Sequence, residues 1–306
     1  MDVVLGLIIS VLQDGFIYGI MAIGVYVTYQ VLNFPDLSVD GTFPLGACVT
    51  AALISRGVNP FLACIVAVLC GAAAGGMTGL LHVKLHITDL LSGILVMTGL
   101  WSINLVIVGG SSILAFYNKP TVFTSGPAAI IPQPMFQWRN LIVVFVFCMV
   151  IKFITDIYLK TKSGLLLRAS GDNQQYVVSL GKDPGNMKIL GLMIGNGFTA
   201  LAGCILSQQS ESADVTSGTG MVVMGLASVI IGINIFSRFK IIKPTLAVIL
   251  GAIVYKACLM IALQLGLPAN YMKLLMAILF TAALLTNRIA SLAGGRKERN
   301  AAKSGN

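Results

Sequence analysis

Charge is what this sequence has least of. Only 10% of its 306 residues are Asp, Glu, Lys or Arg, against about 25% in soluble domains. With 57% hydrophobic residues and a mean hydropathy of +0.90, the chain cannot cover a water-facing surface, which excludes a soluble globular protein. Strand-like alternation is missing, which excludes a membrane β-barrel. The six cysteines stand singly in apolar segments with no C-x-x-C pair, so neither a disulfide framework nor a thiolate metal site is indicated. They read as small packing residues. The two histidines, His82 and His86, sit four apart without a third ligand nearby, which favours a helix-end charge role over metal binding. No G-x-x-x-x-G-K-[ST] phosphate loop occurs, and no soluble stretch is long enough to hold a nucleotide. A convergent His/Asp/Glu or Ser/Lys set at helix midpoints is also lacking, so an enzyme is not expected. The net charge of +9 comes without an aromatic-interleaved basic patch and does not indicate nucleic acid.

What the chain does have is apolar runs of the length a bilayer core requires, about 20 residues each. Nine candidate spans follow, at 3–29, 42–56, 60–81, 88–109, 139–160, 187–207, 221–237, 244–264 and 270–287. The expected fold is an all-α polytopic membrane protein of about 8–10 transmembrane helices. The second span is short and follows "NFPDLSVDGTFP", where Pro35, Gly41 and Pro44 oppose a continuous helix. No Lys or Arg precedes Arg56, which argues against a cleaved signal peptide. Basic residues choose the sides. Lys160, Lys162, Arg168, Lys182 and Lys188, then Arg238, Lys240 and Lys243, then Arg288, Arg296, Lys297, Arg299 and Lys303 share one face by helix parity, joined by Lys84. The connections at 208–220 and 265–270 carry no Lys or Arg. The basic face is therefore expected to be cytoplasmic, with the C-terminus, in a multi-pass cell-membrane protein. The loop at 110–138, rich in Ser, Pro, Thr and Gly, is expected outside.

Two stretches are alike. "GVYVTYQVLNFPDLSVDGTFPLGA" from Gly24 and "GCILSQQSESADVTSGTGMVVMGLA" from Gly203 each carry Gln six residues on, at Gln30 and Gln209, then Asp36 or Asp214, then a hydroxyl- and glycine-rich break. Lying five helices apart, they suggest two inverted repeats built around broken helices, as in transporters. The organisation expected is one permease domain at 1–290, comprising a first repeat at 3–109, a linker helix at 139–160, a loop at 161–187 and a second repeat at 187–287, followed by a basic tail at 291–306. Asn33, Asp36, Ser38, Asp40, Asp214, Thr216 and Ser217 become candidates for lining a solute path, because acidic groups in a membrane usually face water or a partner. Capping a following helix is the competing role for Asp36 and Asp40. Asp14, inside the first span, is a stronger oddity of the path-lining kind, or else pairs only with a hydroxyl in the bundle interior; Lys152 and Lys256 can snorkel. Gly71, Gly75 and Gly79 fall on one helix face, where small residues let helices approach closely.

The stretch "GLLLRASGDNQQYVVSLGKDPGNMK", 164–188, is a polar island. Its mix of Tyr176, Val177, Val178 and Leu180 with polar residues suits a short helix on the cytoplasmic face. Asp172 or Asn173 can cap its start, Gly181 its end, and Pro184 stops it. With no motor of its own, the membrane domain needs such a helix to receive force from another polypeptide.

The island resembles the cytoplasmic loop of ABC importer permease subunits of the branched-chain amino acid/ribose-type family. Gln175-Tyr176-Val177 precedes Gly181 at that family's EAA-to-Gly spacing, although the EAA letters are lost. "LNFPDLSVDGTFPLGA" is similar to its N-terminal "N-L-S-x-G…L-G-A" motif and "GLPANYMKLLMAILFTAALL" to its final helix; the wording looks most like the amino-acid branch. The resemblance implies a permease subunit of an ATP-driven importer for a hydrophobic or aromatic amino acid. It further implies a second permease copy, most simply a homodimer, a cytoplasmic ABC ATPase that binds ATP and Mg, and an external substrate-binding protein. No cofactor is expected on this chain. Arg168, Ser170, Asp172, Gln175, Tyr176 and Gly181 are the residues expected to couple to the ATPase. An ion-coupled secondary transporter is the competing reading, although intramembrane charge relays are few.

Overall fold

A computed structural model describes residues 2–125, 136–236, 242–268, 271, 274–282 and 284–285. Arg238, Lys240, Arg288 and the basic tail lie outside these residues. Among the described residues, with a π-turn at Tyr26–Val31 and a 3-10 turn at Val215–Gly218 besides, the main elements are ten α-helices and one short ribbon. They are α1 (Asp2–Val25), α2 (Val39–Ser55), α3 (Pro60–Lys84), α4 (Asp89–Ile107), β1 (Ile113–Ala115), α5 (Phe136–Tyr158), α6 (Lys162–Asp172), α7 (Gln174–Ser179), α8 (Pro184–Ser210), β2 (Ser212–Asp214), α9 (Met221–Phe236) and α10 (Pro244–Gln264). Residues 274–282 are helical too, within the last expected span. Among the described residues, seven helices are long and apolar enough to cross a membrane, and α2 is apolar but only 17 residues long.

The helix ends follow local chemistry. Asn59 and Asp183 accept the backbone N–H two residues on (2.9 and 2.8 Å), each ahead of a proline at the first helical position. α1 runs on into a π-turn, Tyr26–Val31, closed by Leu32 N donating to Val27 O at 3.1 Å. Asn33, with φ at +55°, then reverses the chain. The expected break is thus confined to 32–38. Gly41 and Pro44, expected to belong to it, lie inside α2 instead. Proline leaves the Asp40 carbonyl without its helical donor, and that carbonyl abuts Gly218 rather than solvent.

α8 is the buried axis. α3 lies antiparallel on it because Gly71, Gly75 and Gly79 carry no side chain. A Cβ at Gly75 would strike the Leu192 carbonyl, and one at Gly79 would come within 2.8 Å of Ile189 Cα. α1 crosses α8 where Gly24 faces the Gly195 carbonyl. α10 packs on α1 and α9 by the same device, with Gly251 against the Ser228 carbonyl. The cysteines depart slightly from the expectation. Cys258 is exposed, and Cys64 and Cys204 meet across α3 and α8 at 3.4 Å.

Candidate functional site

Two regions gather the residues that the sequence singles out. The first is the meeting of two turns, 36–44 and 214–222. In the first turn Asp36 Oδ1 accepts the Ser38 N–H at 2.8 Å and the Ser38 hydroxyl at 2.6 Å. Its Oδ2 accepts Asn196 Nδ2 from the middle of α8 at 2.7 Å. All three residues are buried, Asp36 being 5% exposed. In the second turn Asp214 Oδ1 accepts the Thr216 N–H at 2.7 Å, and the Thr216 hydroxyl lies 2.8 Å from both carboxylate oxygens. Thr216 itself is exposed.

The turns touch at Asp40 and Gly218. A Cβ on Gly218 would strike the Asp40 carbonyl and approach Pro44 Cδ at 2.6 Å. The Asp40 carboxylate caps α9 across this junction, accepting Gly220 N–H at 3.1 Å and Val222 N–H at 2.8 Å. A carboxylate there also answers the positive end of the helix. Asp36, Ser38, Asp40, Asp214, Thr216 and Ser217 therefore belong to one pair of abutting turns, and Ser217 keeps a buried hydroxyl without a hydrogen-bond partner. Asn33 stands apart, exposed at the end of α1.

The second region is the polar island, which forms two helices rather than one. Asn173, not Asp172, caps α7 by accepting Tyr176 N–H at 3.2 Å. Gly181 ends the turn with φ at +68°. Val177 is fully buried, whereas Tyr176, Val178 and Leu180 are each more than half exposed. Arg168, Asp172 and Gln175 are also exposed, while Ser170 is buried under α6 with its hydroxyl unpartnered. α6 grips the end of α1, since Gly171 lies against the Val31 carbonyl and Leu32, and Leu32 in turn packs on Gly191 of α8. From α7 a continuous path of contacts thus leads through α6 and Leu32 to the chain reversal just before Asp36.

Several participants were not anticipated. Asn196 is a lone amide amid the apolar stretch of α8, a signal that was available. Asp14 pairs with Lys256 at 3.2 Å rather than with a hydroxyl, and Lys152 pairs with Asp156 at 3.0 Å. His82 Nε2 lies 3.1 Å from Lys188 Nζ and its Nδ1 2.9 Å from the Ile87 carbonyl, a helix-end role. The connection after α4 is tied down by β1, antiparallel to β2 with Ile113 opposite Asp214, and by Val122 N–H donating to Gln208 Oε1 at 2.9 Å.

The many apolar helices agree with the comparisons to known proteins. A tyrosine transport system permease protein of Clostridioides difficile is 43% identical over 282 residues, covering 92% of each chain. An uncharacterized protein of Rickettsia prowazekii is 32% identical, covering 92% of this chain and 97% of its own. A ribose import permease protein of Haemophilus influenzae is 25% identical, covering 74% and 68%. No solved structure matches. The family model described as branched-chain amino acid transport system/permease component matches residues 7–284. With that match across most of its length and its seven apolar helices, the chain is a multi-pass membrane protein that belongs to the branched-chain amino acid transport permease family, the permease component of an ABC-type transport system.

Proposed function

We propose that this permease takes a hydrophobic or aromatic amino acid into the cell, driven by ATP bound with Mg on a separate cytoplasmic ATPase. The amino acid is delivered by an external binding protein, and two copies of the chain form the pore. The observation that carries this reading is the build of α6 and α7. One buried anchor, Val177, leaves Tyr176, Val178 and Leu180 facing out, and α6 sits under the end of α1. An exposed apolar patch on a short helix fits a groove on another protein. Motion imposed there reaches Leu32 and the Asp36 turn through packed contacts. The tyrosine permease among the relatives supports an aromatic amino acid as the solute. α7 and the C-terminus then lie in the cytoplasm and the β1–β2 ribbon outside.

The packing also supports two inverted repeats within one permease domain. Exchanging α1, α2 and α3 for α8, α9 and α10 turns one set of contacts into the other. α3 on α8 becomes α10 on α1, α2 on α8 becomes α9 on α1, and α2 on α3 becomes α9 on α10. The two Asp-x-Ser/Thr turns correspond under the same exchange.

The test is reconstitution with the cognate ATPase and binding protein in proteoliposomes. ATP-dependent uptake of labelled tyrosine is expected. Val178→Asp places a charge on the exposed patch of α7 without touching the core. It is expected to leave the permease in the membrane but to lower ATPase co-purification and uptake at least tenfold. Uptake by the permease alone along an ion gradient would refute the reading.

A further inference from the structure

Two ion pairs hold α10 to its neighbours, and they are built differently. Asp156 is closed. Its side chain is 9% exposed, and it has three partners, Lys152 at 3.0 Å, Lys243 at 3.3 Å and Thr245 Oγ1 at 2.6 Å. Asp14 and Lys256 are open. Their side chains are 30% and 19% exposed, although the pair lies twelve residues into α10, near the middle of an apolar span. They share one contact of 3.2 Å, and Lys256 Nζ sits 4.1 Å from the centre of the Tyr18 ring. A carboxylate offers about four acceptor sites and an ammonium three donors, so both groups keep capacity for more bonds. Charges at that depth are costly unless they face water, a partner or a ligand.

The pair also has a defined outlook. α1 and α10 run antiparallel, held close because Gly15 lies under Ile253 and Gly19 under Ile249. Toward the β1–β2 end they part into an apolar crevice of about 360 Å³, lined among others by Leu7, Ile8, Val11, Met260 and Ile261. Asp14 and Lys256 do not line the crevice themselves; Val11 and Met260, which do, precede and follow them by one helical turn, so the pair lies about one turn beyond its inner end. Small-molecule sites commonly combine such a volume, an apolar lining and a few placed polar groups.

We propose that Asp14, Lys256 and Tyr18 form a recognition point for the transported solute, a zwitterionic amino acid with an apolar or aromatic side chain. This rests on the importer reading above. The ammonium of the solute goes to Asp14 and its carboxylate to Lys256, which the Tyr18 ring holds in place from beneath. The side chain enters the crevice. A neutral sugar has no apolar side chain to fill the slot and no charges to match the pair at its foot, so the site favours an amino acid over ribose.

The experiment uses the full complex in proteoliposomes with labelled tyrosine. Asp14→Leu/Lys256→Met removes both charges together, a change that membrane and core packing tolerate better than loss of one partner. Expected is a complex that co-purifies with the ATPase at wild-type yield and whose uptake falls at least tenfold. Uptake within threefold of wild type at equal yield would overturn the proposal. Where the double variant fails to assemble, Asp14→Glu and Lys256→Arg decide, because they keep both charges and shift their positions. A threefold or greater fall in uptake at unchanged yield is expected, and unchanged uptake would overturn the assignment. If the wild-type complex takes up no tyrosine with ATP, the importer reading itself fails; if wild type and double variant transport equally, only this assignment does.

Discussion

The two Asp-x-Ser/Thr turns have the same local wiring and opposite surroundings. In each, a carboxylate takes the N–H and the hydroxyl of the residue two positions on. Asp36, however, also holds Asn196 across the interior, and its hydroxyl partner Ser38 is fully buried. Thr216 is exposed, and water can take over its bonds. The wiring comes from the sequence motif, since Asp competes well for nearby backbone donors. What a turn contributes depends on whether water can replace it. The buried turn fixes where α2 begins inside the core, and the exposed turn keeps polar groups available.

The comparison is broken most severely at Asp36. Asp36→Ala strands the Ser38 N–H and one hydrogen of Asn196, both without access to water, and leaves the Ser38 hydroxyl only its 3.2 Å bond to Asn196 Oδ1. At about 1–3 kcal/mol for each of these two unsatisfied groups, the expected loss is roughly 2–6 kcal/mol. Thermal unfolding of the detergent-purified protein, followed by size-exclusion recovery, should show it, and Asn196→Leu in the same background should recover part of the loss. A loss below about 1 kcal/mol would mean that the Asp36 turn is wet, like its counterpart, on the same scale of buried-group costs.

A step smaller is the junction itself. Gly218→Val must push apart the Asp40 carbonyl and the Pro44 ring, backbone and ring atoms that cannot swing away. Overpacking of this kind costs about 1–3 kcal/mol. Uptake is expected to suffer beyond the stability loss, because α9 loses its cap from Asp40 when the turns separate. Comparing uptake per folded complex with the unfolding temperature separates the two effects.

How far the sequence discloses this can be argued from particular residues. The spans at 60–81, 88–109 and 244–264 match α3, α4 and α10 closely, because long apolar runs and their Pro and Asn boundaries are local signals. Asn173, Gly181 and Pro184 act on α7 and α8 as cap, stop and start for the same reason. The facing of Gly71, Gly75 and Gly79 is likewise a matter of spacing along one helix. The partnership of Asp14 with Lys256 joins residues 242 apart and depends on how two helices are rotated against each other. No local pattern encodes that rotation. Asn196 was visible as an odd amide in an apolar helix, but its partner was not. The three-residue strands β1 and β2 are too short to leave a periodic trace, and Pro44 is accommodated in α2 only because a glycine 174 positions later leaves room beside it.

The smallest expected effect on stability is at Asp214. Asp214→Ala removes a turn whose Thr216 partner is already exposed, so water satisfies the freed N–H and hydroxyl. The cost should stay near about 0.5–1 kcal/mol, the low end for losing a cap, and melting should barely move. The backbone pairing of Asp214 with Ile113 survives, since it uses no side chain. If the exposed turn presents its carboxylate to the solute or to the binding protein, uptake per folded complex should nevertheless fall about tenfold, which corresponds to about 1.4 kcal/mol of lost interaction. Asp36→Ala cannot make that distinction, because its effects on folding and transport arrive together. Measured side by side, an Asp214 variant that melts and transports like wild type would assign the second turn to architecture alone. One that melts like wild type and transports poorly would make it the working member of the pair.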